Sequence, residues 1–296
     1  MHVYYDNWKN RIVNFVIIVV TGLAALACLF PIMHCIALSF SSAAAVSAGE
    51  VSVWPVGFNL LGYQTLLKEK QFFVSFGISV VRTGVGWLVG IILTVLMAYP
   101  LSKDKKEFPQ RGIYIWYIIF TMLFGGGTIP TYIIINKYGL LNNFWVLILP
   151  MAVSTGNVIM MMNFFRGIPK ELEEAAIMDG ATPLHTLFKI YLPISLPSIA
   201  TISLFIILGH WNSYFDGIIY MSDVHKYPLQ SYIQQFVVKM PDTTKMTAEE
   251  IAKAALLNNR NLNAAKIVIT MVPILCIYPF MQKYFTKGLV MGAVKE

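Results

Sequence analysis

The polar residues best suited to contact a ligand lie late in an apolar stretch, in the run HWNSYFDGIIY at 210–220. A carboxylate inside a bilayer costs about 2.5–3.5 kcal/mol, so the side chain of Asp216 should face a partner group or water. In a continuous helix Asn212, Asp216 and Tyr220 would share one face. Trp211 adds a second aromatic ring beside it. Amide, carboxylate and aromatic groups together suit a sugar, so the spacing predicts a substrate pathway, with a polar clamp between helices as the alternative.

Other residues inside apolar runs carry weaker signals. Asn157 is a further pathway candidate, and a hydrogen bond to a neighbouring helix is the alternative. An uncharged run begins just after Arg82, so we expect this side chain to extend to the outer membrane surface, with a pathway role as the alternative. Gly86 and Gly90 have the GxxxG spacing that lets helices approach closely. The three glycines at 125–127 fit either close packing or a broken helix beside a pathway.

The longest charged segment between apolar runs is 166–197, RGIPKELEEAAIMDGATPLHTLFKIYLPISLP. Its first helix is predicted to begin at Pro169, to carry glutamates at its positive end and to stop at Gly180. A second helix should follow the cap Thr182 and end near Pro193. The two alanines of LEEAA leave a flat patch against which another protein could pack. The segment is therefore predicted to be a docking element on one side of a membrane.

Several kinds of catalytic and binding site are missing from the sequence. It contains no GxxxxGK[ST] nucleotide loop, no HExxH, no Cys/His cluster with zinc spacing and no GxSxG elbow. The three cysteines, Cys28, Cys35 and Cys276, lie in apolar segments without CxxC spacing and are expected to be core residues. The sequence thus gives no support to an enzyme, and any ATP would be bound by another chain.

Composition indicates an all-α, polytopic membrane protein. Of the 296 residues, 57% are hydrophobic and 12% are charged, whereas soluble proteins have about 25% charged residues. A net charge of +7 does not indicate nucleic acid binding, because Lys and Arg collect in cytoplasmic loops of membrane proteins. Six runs are long enough to span a bilayer, at 12–38, 75–101, 112–135, 143–163, 195–220 and 266–285.

The distribution of positive charge predicts the orientation. Lys and Arg concentrate before the first run, between the second and third, between the fourth and fifth, and after the last. The positive-inside rule therefore places both termini and 166–197 in the cytoplasm. Residues 221–265 then form a long outer loop.

The charged segment contains a complete family motif, and similar matches extend along most of the chain. The fixed positions of EAA–x3–G–x9–I–x–LP are all present, at Glu174, Ala175, Ala176, Gly180, Ile190, Leu192 and Pro193. Asp179 and Ala181 extend the motif in the form usual for sugar permeases. Further matches are AYPLS (98–102), GGGTIPTY (125–132), GLLNNFW (139–145), ILPMAVS (148–154), GHWNSYF (209–215), YPLQ (227–230) and the closing KYFTKGLVMGAVKE. The chain resembles the ABC-importer permeases of the carbohydrate-uptake group, especially the second permease of maltose-type, multi-sugar and lipoprotein-dependent oligosaccharide transporters.

This resemblance implies a type I importer permease fold with six transmembrane helices in a bacterial cell membrane. It implies a second homologous permease, two ATPase subunits that carry ATP and magnesium, and an extracytoplasmic solute-binding protein. The substrate would be a sugar or oligosaccharide, and this chain itself would hold no cofactor. In this family the segment 166–197, called the EAA loop below, contacts the ATPase. Carried over, Glu174 and Gly180 are the coupling positions, flanked by Ala175, Ala176 and Asp179.

The expected division is an N-terminal helix with an outer loop (1–71), a five-helix permease core (72–285) and a cytoplasmic tail (286–296). An importer permease for a non-sugar solute, such as an amino acid or phosphate, is the nearest alternative. A secondary transporter is less favoured, because neither an intramembrane charge network nor an inverted repeat is visible. The complete coupling motif argues against a purely structural scaffold.

Overall fold

The computed structural model describes residues 8–238 and 259–293. These residues form helices joined by irregular segments and include no strand, which confirms the all-α prediction. Two compact units are present: Met1–Glu69 with Lys239–Met271, and Lys70–Val238 with Val272–Glu296. Part of the predicted outer loop, 239–258, lies outside the described residues.

The helices are numbered here in chain order. They are α1 (Trp8–Ser39), α2 (Ala43–Ala48), α3 (Leu61–Lys68), α4 (Lys70–Ser102), α5 (Arg111–Leu123), α6 (Thr128–Lys137), α7 (Thr155–Arg166), α8 (Lys170–Met178), α9 (Pro183–Ile194), α10 (Leu196–Asn212), α11 (Phe215–Tyr220), α12 (Leu229–Val238) and α13 (Asn259–Ala293). Short 3₁₀ turns lie at Phe144–Leu147, Leu149–Met151 and Val224–Lys226. The last helix continues to Ala293, so it occupies most of 286–296, where a tail was expected.

Three helices are long and apolar enough to cross a membrane alone, with spans at Asn10–Ser39, Lys70–Ser102 and Arg260–Pro279. Three further pairs of helices qualify if each bent pair counts as one span, which gives up to six in the described residues. The six predicted runs correspond to these six segments. Hydropathy therefore located the spans, although it did not reveal that half of them are bent.

The glycines at 125–127 break the third span. Helices α5 and α6 meet there at 115°. Gly127 has a φ of +79°, a left-handed conformation that favours glycine. Of the two alternatives left open by the sequence, the broken helix is the one observed.

The first unit is held together partly by polar contacts to the end of α1. The amide of Asn261 donates to the carbonyl oxygens of Leu38 and Ser41, at 2.9 and 2.6 Å. Tyr63 donates to the hydroxyl of Ser39 at 2.8 Å. The most apolar 18-residue stretch of α1 is 0% buried within the chain, so its side chains are available to lipid or another protein.

The second unit is organised around α4, which packs against α7 and α10. The buried cluster between these helices and the EAA loop includes Ala98, Met161, Phe165, Leu187 and Ile202. Every one of these side chains is at most 1% exposed. Such close packing fixes α4 relative to its neighbours.

The GxxxG spacing in α4 brings α10 close to its backbone. A β-carbon placed on Gly86 would lie 2.4 Å from Nε2 of His210, a side chain that is 2% exposed. A β-carbon on Gly90 would lie 3.2 Å from Ile206. The prediction of close helix approach is therefore confirmed at both glycines.

A side chain at Gly86 should weaken this packing. We expect Gly86→Ala to lower the free energy of unfolding by about 1–3 kcal/mol, because the added methyl group overlaps the buried imidazole of His210 and forces it to shift. Chemical denaturation of the detergent-solubilised protein measures the change. Gly84→Ala is the matched control, since nothing lies within 4 Å of a β-carbon there, and it should be neutral or stabilising. Equal stability of the two variants would contradict the packing described.

Candidate functional site

The EAA loop begins with α8, whose ends follow the sequence closely. Pro169 is the capping residue and Lys170 the first helical one, a shift of one position from the prediction. Glu171 and Glu173 lie in the first turn, where the helix dipole favours negative charge. These features give a short, well-defined helix between two spans.

Gly180 ends α8 in a Schellman arrangement. Its N–H donates to the carbonyl of Ile177 at 2.9 Å, and the N–H of Ala181 donates to the carbonyl of Ala176 at 2.9 Å. The φ of Gly180 is +79°, which only glycine adopts without strain. A β-carbon would meet nothing within 4 Å, so the need for glycine is conformational and the surface above it is open.

The second helix of the loop, α9, also begins as predicted. The hydroxyl of Thr182 accepts from the N–H of His185 at 3.3 Å, and Pro183 occupies the first helical position. The middle of α9, Leu187–Tyr191, is π-helical. The helix ends at Ile194, where the chain bends by 84° into α10.

The exposure pattern of α8 defines an inner and an outer face. Ala176 is 9% exposed and packs toward the chain, whereas Ile177 and Met178 are 58% and 87% exposed. Ala175 and Glu174 are exposed as well. Of the two alanines of the predicted flat patch, Ala175 thus faces outward and Ala176 inward, since consecutive residues of a helix are rotated by about 100°.

A groove of about 490 Å³ lies between α8 and α9. Its lining includes Ala175, Asp179, Gly180 and Lys189. Phe188, on α9, is 57% exposed. The loop therefore combines a small groove with exposed apolar side chains, a surface suited to contact another protein.

Polar contacts connect the loop to the segment after α4. Lys170 forms an exposed ion pair with Asp104, which lowers the pKa of the Asp104 carboxyl and raises that of the Lys170 ammonium. Arg111 and Arg166 both donate to the carbonyl oxygen of Leu101, at 2.8 and 3.3 Å. Of these contacts, the bond from Arg166 holds the end of α4 against the start of the EAA loop.

The predicted pathway residue Asp216 is bound to protein groups. Arg82 forms an ion pair with it, with one pair of atoms 3.3 Å apart. Its Oδ1 also accepts from the hydroxyl of Ser213 at 2.8 Å and from the N–H of Gly217 at 2.9 Å. The side chain of Arg82 is 0% exposed. The expectation that Arg82 extends to the membrane surface is wrong, because the carboxylate of Asp216 compensates its charge inside the chain.

The single helical face expected for 212–220 is also absent, because the helix breaks after Asn212. Its C-cap, Ser213, has an extended backbone, and α11 starts only at Phe215. Asn212 is exposed, whereas Tyr220 is buried, with 9% of its surface exposed. The ring of Tyr220 stacks on that of Tyr132, with centroids 6.2 Å apart. Asp216 and Tyr220 share α11, but Asn212 does not lie on their face.

The remaining two pathway candidates are buried. Trp211 is 5% exposed and packs edge-on against Phe76, with ring centroids 5.9 Å apart. Asn157 is 9% exposed. Sequence reasoning missed Arg82 as the partner of Asp216. The signal was present, since an intramembrane carboxylate needs an opposite charge and Arg82 lies within an apolar run.

Comparison with known proteins identifies the family. The family of binding-protein-dependent transport system inner membrane components matches residues 110–291. The chain belongs to this family. Membership confirms the prediction that it is a membrane transport component and not an enzyme.

Relatives of this inner membrane component match it over almost its whole length. It is 38% identical to the polygalacturonan/rhamnogalacturonan transport system permease protein YtcP of Bacillus subtilis strain 168, over 97% of this chain and 99% of that protein. Protein LplC of the same organism is 36% identical over 100% of this chain and 99% of that protein. A crystal structure of a bacterial ABC transporter involved in the import of the acidic polysaccharide alginate contains a chain with a TM-score of 0.84 and 34% identity, covering 95% of this chain and 99% of that one. The permease fold is therefore established.

Removing one partner of the Arg82–Asp216 pair should destabilise the permease. Arg82→Met leaves a carboxylate without its cation, and we expect a loss of about 3–5 kcal/mol in the free energy of unfolding. In a double-mutant cycle, Arg82→Met with Asp216→Asn should cost clearly less than the two single changes added together. Chemical denaturation in detergent measures all three variants. Additive losses would show that the two side chains do not interact.

Proposed function

We propose that this protein is one of two permeases of an ATP-driven importer for a sugar or oligosaccharide. The observation that carries the proposal is the similarity, over nearly the entire chain, to a permease named for polygalacturonan and rhamnogalacturonan transport. The likeness to an alginate importer chain supports the same substrate class. An importer for an amino acid or phosphate would share the machinery, so substrate uptake must decide between them.

The EAA loop is proposed to transmit movement from partner ATPases. Its sequence matches the coupling motif, Glu174 is exposed, and the turn at Gly180 is open. The loop also presents exposed apolar side chains, including Met178 and Phe188. Because the sequence has no nucleotide loop, ATP and magnesium would bind to the partner subunits. This assignment requires the loop and both termini to be cytoplasmic, as the positive charges predict.

The other proposed partners are a second, homologous permease and an extracytoplasmic solute-binding protein. The family description names dependence on a binding protein. The unburied apolar surface of α1 provides an area that a second permease could cover. Together the two permeases would form the translocation pathway.

Within the pathway we assign different roles to the predicted polar residues. Asn212 is exposed at the end of α10, where the helix breaks, and is the proposed substrate contact. Asp216 is the clamp that holds the break through Arg82 and Ser213. Tyr220, Trp211 and Asn157 support the wall of the pathway by packing.

A charge reversal at Glu174 should stop transport. We expect Glu174→Lys to abolish ATP-dependent sugar uptake while the protein remains in the membrane, because the exposed carboxylate faces the proposed ATPase. Uptake of labelled oligosaccharides into proteoliposomes containing the complete importer gives the measurement, with amino acids and phosphate as comparison solutes. Glu171→Lys, on the same helix and also exposed, is the matched control and should transport normally. Normal transport by Glu174→Lys would refute the coupling role.

Truncation of the proposed substrate contact should slow uptake. Asn212→Ala removes an amide that would bind sugar hydroxyls, so the maximal uptake rate should fall roughly fivefold, in line with one lost hydrogen bond. The same proteoliposome assay measures it at saturating binding protein. Asn163→Ala, an exposed amide on α7, should leave the rate unchanged. If the two variants behave alike, Asn212 is not a substrate contact.

A further inference from the structure

A cluster of four side chains joins the EAA loop to the end of α4. Lys103, which directly follows α4, forms an ion pair with Glu173 of α8. Tyr191 of α9 donates to the other carboxylate oxygen of Glu173 at 2.7 Å. The ammonium of Lys103 also lies over two rings, 4.2 Å from the centroid of Tyr99 and 4.6 Å from that of Tyr191. The end of α4, α8 and α9 thus meet at the ion pair of Lys103 and Glu173.

The burial of this ion pair distinguishes it from the other pair on the loop. The side chains of Lys103 and Glu173 are 12% and 15% exposed. Those of Lys170 and Asp104 are 65% and 51% exposed. An exposed pair contributes little because water competes with it. A shielded pair with additional hydrogen bonds and ring contacts holds its geometry more firmly.

Aromatic packing fixes the same cluster on the transmembrane helices. The rings of Tyr99 and Tyr191 pack edge to face with centroids 5.0 Å apart. The ring of Phe165 on α7 packs against both, with centroid distances of 6.4 Å to Tyr99 and 5.4 Å to Tyr191. The π-helical segment of α9 contains Tyr191, and such irregular turns occur frequently at functional sites.

Glu173 and Glu174 are adjacent but have opposite surroundings. Glu173 is bonded to Lys103 and Tyr191, whereas Glu174 is exposed. A displacement applied at the outer face of α8 would therefore reach α4 through Glu173. Arg82 lies 21 positions before Lys103 in the sequence, about 30 Å along a helix axis. Helix α4 thus leads from the EAA loop, at its C-terminal end, to the break between α10 and α11, which it contacts at Arg82.

We propose that Lys103 and Glu173 are positioning residues that transmit movement of the EAA loop to α4. This role rests on the proposed function, because it needs an ATPase that moves the loop. The ion pair keeps α8 and α4 moving as one body, and α4 carries the movement to Arg82 and the clamp at Asp216. Loss of the joint would let the ATPase work without moving the transmembrane helices.

The test is the number of sugar molecules transported per ATP hydrolysed by the complete importer in proteoliposomes with its binding protein. Lys103→Met and Glu173→Gln should retain ATP hydrolysis and lower this ratio roughly tenfold. Lys103→Arg should stay near the wild-type ratio, and exchange of the charges in Lys103→Glu with Glu173→Lys should restore part of it. Lys170→Met, which breaks the exposed pair, is the matched control and should not change the ratio.

A wild-type ratio in Lys103→Met and Glu173→Gln would overturn the proposal. It would also be overturned if hydrolysis and transport fell in parallel and the charge exchange restored neither, since the pair would then be merely structural. Where a single variant does not assemble, the ratio of the charge-exchange variant decides. Failure of the wild-type importer to move sugar with ATP would refute the proposed function itself and is recorded separately from the behaviour of the variants.

Discussion

A buried arginine and its carboxylate partner organise the transmembrane part of the second unit. Arg82 on α4 contacts Asp216 after the break in α10, and it also donates to the carbonyl oxygen of Ser213 at 3.2 Å. Charges at membrane depth are rare, and they face the interior of the helix bundle or water and commonly pair with one another. The pair therefore requires α4 to lie beside the break, and Gly86, which faces His210 one turn further along α4, allows that approach.

The break between α10 and α11 depends on the same interaction. Irregular backbone inside a membrane needs partners for its N–H and carbonyl groups. Here the carbonyl of Ser213 accepts from Arg82, and the N–H of Gly217 donates to Asp216. The hydroxyl of Ser231 on α12 donates to the carbonyl of Tyr214 at 2.7 Å. Asp216, which in the sequence looked like part of a substrate face, instead stabilises this break.

Sequence reasoning succeeded where the governing physics is local. Apolar run length located the spans, Gly180 ended α8 and Thr182 capped α9, because each depends on neighbouring residues only. It failed where a contact joins distant segments. Helical periodicity assigned Asn212 and Asp216 to one face, since nothing local announced a break at Ser213. The partner of Asp216 lies 134 positions away in the chain, and its identity follows only from how the helices pack.

The burial pattern of α8 explains how one short motif can serve two surfaces. Neighbouring residues on a helix are rotated by about 100°, so adjacent glutamates cannot face the same way. With Glu173 turned toward Lys103, Ala176 three positions later must also face inward, and it is 9% exposed. Glu174 and Ile177 then face outward together, and Ile177 is 58% exposed. Ala176 thus packs inward at the groove between α8 and α9, while Glu174 and Ala175 face outward, a division that the motif's spacing alone does not reveal.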